Sequence, residues 1–124
     1  MKKEFNLVLC DDADFRKFYK KSPKIDIINH NEIIVKLENN DIYKNKPTQD
    51  ILKFFIITRI KKSINSQKIE SIFYKVDEIN SDIISSMKLV LGAYFDKVEL
   101  NLILHESVYI DDIKDNFNEI IIIK

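Results

Sequence analysis

The 124-residue sequence predicts an α/β fold, a single domain spanning residues 1–124 with a mostly parallel sheet of about five strands and helices on both faces, a three-layer αβα arrangement. Three observations predict it. Short β-branched apolar runs alternate along the chain with segments of helical period. The strand-like runs carry apolar residues on consecutive positions, as strands buried on both faces of a parallel sheet do. The segments between them are too long for hairpins, which leaves crossover connections, right-handed by rule.

Residues Glu4 to Cys10 begin with alternation and end in the apolar run Leu7-Val8-Leu9, giving the first strand. Asp11-Asp12-Ala13-Asp14 offers a cap and acidic first-turn residues for a short helix to about Lys20, stopped at Ser22-Pro23. Ile25 to Ile28 and Ile33 to Leu37 read as two β-branched segments joined by Asn29-His30-Asn31-Glu32, either a hairpin or two separate strands. A surface loop through Pro47 follows. Thr48 and Asp50 open a helix over Ile51–Ser66 whose apolar residues wrap most of its circumference, which places it centrally or under a partner.

Lys68 to Val76 is the next strand. Asn80 or Ser81 caps a helix with the stripe Ile83, Met87, Val90, Leu91 and Tyr94, and Gly92 in its last turn. Val98 to Leu104 is a strand, Tyr109 to Phe117 a short acidic helical segment, and Asn118 to Lys124 a closing strand. Its run Ile120-Ile121-Ile122-Ile123 must lie inside the sheet or pair with another chain, since an exposed flat strand so apolar aggregates.

Composition narrows function. One glycine excludes phosphate-cradling loops of the GxGxxG and GxxxxGK[ST] kinds. One cysteine makes no internal disulfide, no signal peptide is legible, and no apolar run spans a bilayer, so a cytoplasmic, non-membrane protein is expected. The chain holds 23 Ile and 18 Lys against two Arg, the mark of an AT-rich coding sequence such as a bacterium or its phage. Twenty basic and 20 acidic residues cancel, so no net field steers the molecule toward nucleic acid.

In a parallel sheet, ligands bind beyond the carboxyl ends of the strands. Those ends read Cys10-Asp11-Asp12, then Asn29-His30 or the Glu38 region, Asp77-Glu78, His105-Glu106-Ser107 and Lys124. The stretch Leu7-Val8-Leu9-Cys10-Asp11-Asp12-Ala13-Asp14-Phe15-Arg16 resembles the first strand and acidic pocket of bacterial response-regulator receiver domains. That resemblance implies Mg²⁺ on Asp11 and Asp12, a phosphoryl group accepted by Asp77, and Ser107 and Lys124 holding the phosphate. The spacing from Asp12 to Asp77 exceeds the family's, and the loop after Asp77 lacks its Met-Pro and Gly.

Cys10 with His105 would be a nucleophile pair at the same sheet edge; His30 and His105 have no partner at metal-ligand spacing. Arg59, Lys61 and Lys62, with Lys53 and Lys68, form a basic surface that could contact nucleic acid, with Tyr19, Tyr43 or Tyr74 to stack on bases. No constellation of high catalytic specificity emerges. The expectation is a non-catalytic regulatory or accessory binding protein, phage-encoded and without a cofactor, taking a protein partner or self-associating. A Mg²⁺-dependent phosphoryl-accepting domain and a nucleic-acid-associated protein are the alternatives.

Overall fold

The computed structural model describes residues 5–11, 24–42, 49–65, 69–78, 81–94, 99–105 and 110–123. Five strands form one sheet: β1 (Phe5–Leu9), β2 (Ile25–Asn29), β3 (Ser71–Lys75), β4 (Glu99–Leu104) and β5 (Glu119–Ile122). Every pairing is parallel, in the order β2-β3-β4-β1-β5. Three helices, α1 (His30–Glu38), α2 (Gln49–Asn65) and α3 (Ser81–Tyr94), and a 3₁₀ turn at Lys114–Asn116 complete the described elements. The sequence expectation of a parallel α/β sheet holds. No described helix is long and apolar enough to cross a membrane.

Period-two alternation divides the strand residues between two cores. Leu7, Leu9, Ile28, Ile72, Tyr74, Leu100 and Leu102 face one side, where Ile33 of α1, Ile56 and Ile60 of α2, and Ile83 and Met87 of α3 pack on them. The chain steps in one direction from β2 to β3 to β4, and right-handed crossovers in one direction put their helices on one face. Val8, Cys10, Phe73 and Ile103 form the second core, which among the described residues draws only on strands. The helix expected over Asp11–Lys20 lies outside the described residues. On this second face Asn6 Nδ2 donates to Asn101 Oδ1 at 3.2 Å, and Asn101 Nδ2 donates to Glu99 Oε1 at 3.0 Å. Buried amides so bonded fix the β1–β4 register, because a one-residue slip would carry them into the apolar face.

One expectation is corrected and three others are narrowed. Ile33 to Leu37 is helical, part of α1, and forms no strand. Asn29 accepts a hydrogen bond from the Asn31 amide at 3.0 Å and so caps a helix directly at the end of β2; Ile33 and Leu37, four apart, are its buried residues. Of the two placements expected for the closing isoleucine run, the interior of the sheet is not found: among the described residues it is an outer strand with β1 on one side, and Ile120 and Ile122 are 38% and 59% exposed. The short acidic segment before it is helical only as turns: the Ile113 and Lys114 amides donate to the Ile110 carbonyl ahead of the 3₁₀ turn at Lys114–Asn116. Helix α2 is less enclosed than its apolar girth implies: Ile56 and Ile60 are fully buried, while Phe54 is 62% exposed.

Candidate functional site

Among the described residues the carboxyl edge carries Cys10, Asp11, Asp77 and His105, in an arrangement that strand order decides. The chain leaves β1 toward the β2 side of the sheet and leaves β4 toward β5, so the topological switch point, where open α/β sheets admit ligands, lies between β1 and β4. Leu9 pairs with Leu104 and the Cys10 amide donates to the Leu104 carbonyl at 3.1 Å, so Cys10, Asp11 and His105 meet there. Cys10 is buried, Asp11 half-buried and His105 exposed.

Asp77 stands apart from them. It follows β3, and β4 lies between β3 and β1, so about 10 Å of sheet separates Asp77 from Asp11. Asp77 is exposed and accepts from Asn31 Nδ2 at 3.4 Å. Asp12, Ser107 and Lys124 lie outside the described residues, as do Tyr19, Tyr43 and Lys68. Among the described residues no three His, Cys, Asp or Glu side chains stand close enough to hold a metal ion.

The most developed polar arrangement was not foreseen and centres on the start of α1. The buried Tyr74 hydroxyl lies 2.5 Å from His30 Nδ1. Burial lowers the His30 pKa, against the opposing charge of Asp77, and so favours the neutral imidazole; the tautomer decides which of Nδ1 and the hydroxyl donates. Burial first, then Glu32, pushes the Tyr74 hydroxyl well above the ordinary tyrosine range, with Arg59 acting the other way. Tyr74, the one described member of the expected stacking tyrosines, is therefore an internal hydrogen-bonding group and not a base-stacking platform.

Arg59 ties three elements together. Its Nε donates to Glu32 Oε2 of α1 at 3.1 Å; its Nη1 donates to Asp26 Oδ2 of β2 at 3.3 Å and to Ser63 Oγ, one turn on in α2, at 2.8 Å. Ser63 Oγ in turn donates to Asp26 Oδ2. The expected nucleic-acid contact Arg59 is thus mostly engaged inside the fold, while Lys61 and Lys62 in the closing turns of α2 are exposed.

Beside this network α1 and α2 enclose a groove of about 220 Å³. Ile33, Phe54 and Phe55 give it an apolar lining, Thr58 lies between, and Lys36, Arg59 and Lys62 supply three cations. Among the described residues no carboxylate lines it. Phe54 and Phe55 meet edge-on with ring centroids 6.2 Å apart. The sequence signal for this site was the apolar excess of α2, but its second wall is α1, which the β-branched run disguised as a strand. Such a groove can take an apolar side chain and place anionic groups against its rim. Comparison of the chain with protein-family models, with curated proteins and with solved structures found no significant match.

Proposed function

We propose that the protein is a small non-catalytic regulatory or accessory binding protein that holds a protein partner in the groove between α1 and α2. The observation that carries this reading is Phe54, a large aromatic 62% exposed in the lining of a groove that also holds Ile33, Phe55 and three cations. Leaving that area in water is costly, and aromatic side chains are the usual anchors of protein interfaces. The carboxyl edge offers less: of its described acidic groups, Asp11 is separated by a strand from Asp77 and Glu78.

An amide NMR titration with an amphipathic helical peptide of leucine and glutamine tests the assignment. Saturable shifts are expected at Ile33, Lys36, Phe54 and Thr58, and their loss in Phe54→Ser with the remaining spectrum unchanged. Shifts confined to Cys10, Asp11 and His105 would move binding to the carboxyl edge and overturn the reading.

A further inference from the structure

The charge around the groove narrows its occupant. Of the charged described side chains lining it, Lys36, Arg59 and Lys62 are cations and none is an anion, in a chain whose acidic and basic residues are equal in number; Glu32 and Asp26 behind the groove offset Arg59 and part of Lys36, leaving Lys62 and the exposed part of Lys36 as the excess. The asymmetry is therefore local. Lys36 keeps 59% of its side chain exposed and shares Glu32 with Arg59 at the limit of ion-pair distance, 4.0 Å. Lys62 is exposed in the last turn of α2, where a cation complements the helix dipole and is held at the rim.

Resting on the reading of this groove as a docking site, we infer that its occupant is an acidic amphipathic helix of another protein, with apolar anchors at i and i+3 or i+4 and carboxylates flanking them. A void of about 220 Å³ accommodates one or two apolar side chains, as a helix laid across two helices inserts them. The flanking carboxylates then meet Lys36 and Lys62, whose charges the fold leaves at the surface. Nucleic acid is the competing occupant, since the exposed Phe54 ring offers a stacking face beside the cations; the apolar lining of Ile33 and Phe55 behind it favours the side chains of a helix.

The test uses three helical peptides with one apolar face and flanks of glutamate, glutamine or lysine, titrated into the whole chain by fluorescence anisotropy, with single-stranded DNA as a fourth probe. The acidic peptide is expected to bind about tenfold more tightly than the glutamine peptide at low salt, an advantage shrinking severalfold as salt rises. The double variant Lys36→Glu, Lys62→Glu is expected to reverse the order in favour of the lysine peptide. Both positions are exposed, and an unchanged amide spectrum away from the groove shows that the variant is folded.

Equal binding of all three peptides would overturn the charge inference while leaving the docking groove standing. Absence of binding by any peptide would overturn the groove reading as well. Binding of the DNA alone, lost in the same double variant, would replace the acidic helix with nucleic acid.

Discussion

Replacing Arg59 with methionine keeps much of the side chain's apolar stem and removes the guanidinium on which β2, α1 and α2 converge. Three contacts go: Glu32 at 3.1 Å, Asp26 at 3.3 Å and Ser63 at 2.8 Å. Arg59, Asp26 and Glu32 have side chains 19%, 28% and 36% exposed, between the surface regime, where a pair contributes at most about 1 kcal/mol, and the buried regime, where breaking one costs about 3–5 kcal/mol. Solvent screening at these exposures brings each ion contact to about 1 kcal/mol, and the hydroxyl bond adds a fraction of that. The total is about 2–3 kcal/mol. For a chain of 124 residues, unfolding entropy converts 1 kcal/mol to about 4 °C, so the melting temperature should fall by about 8–12 °C. Urea unfolding followed by circular dichroism gives the free energy directly. A cycle with Asp26→Asn should show a coupling near 1 kcal/mol. An Arg59→Met protein within about 0.5 kcal/mol of the parent would refute the view that this cation joins the three elements.

Two further outcomes follow from local geometry. His30 has a folded-state pKa below its ordinary 6.5, principally through burial, so below pH 6.5 the unfolded chain binds more protons at this site. Its contribution to stability is full above 6.5 and is lost as pH falls through the folded value; urea midpoints of the parent and His30→Gln should therefore converge on acidification, and a constant difference from pH 7.5 to 5 would contradict the Tyr74–His30 assignment. Gly92 sits inside α3 with nothing within 4 Å of where a Cβ would stand, so Gly92→Ala should raise stability by about 0.5–1 kcal/mol, read as an upward shift in melting temperature.

Strands with both faces buried were legible in the sequence because consecutive apolar residues, as in Leu7-Val8-Leu9 and Leu102-Ile103-Leu104, have few other uses in a helix-rich α/β chain. Strand order was not legible. Nothing local in β1 says that β4 and β5 flank it, and that placement is what separates Asp11 from Asp77. α1 was hidden by Ile34 and Val35, β-branched residues that contribute little to the core; Val35 is 52% exposed. The informative signals were weaker in appearance: Asn29 as a cap, Glu32 in the first turn, and Ile33 and Leu37 at helical spacing. Reading that segment as a strand removed one wall of the groove, and with it any means of seeing that Lys36 and Lys62 face a common space.

The groove consequently depends on an element that cannot stand alone. Nine residues is below the length at which an isolated helix persists in water, and α1 carries a β-branched residue, Val35, 52% exposed where packing does not compensate it. Its stability is tertiary. The Asn29 cap and the Tyr74–His30 hydrogen bond hold its first turn to the sheet, Ile33 and Leu37 bury its inner face, and Glu32 binds it to α2 through Arg59. Because the anchors lie on the inner side and the first turn, Lys36 and the outer wall remain available to a ligand without rearrangement of the core. A preformed wall lowers the ordering cost of association. It also means that loss of the Arg59 or His30 contacts should weaken peptide binding through displacement of α1, even when neither residue's partner touches the peptide.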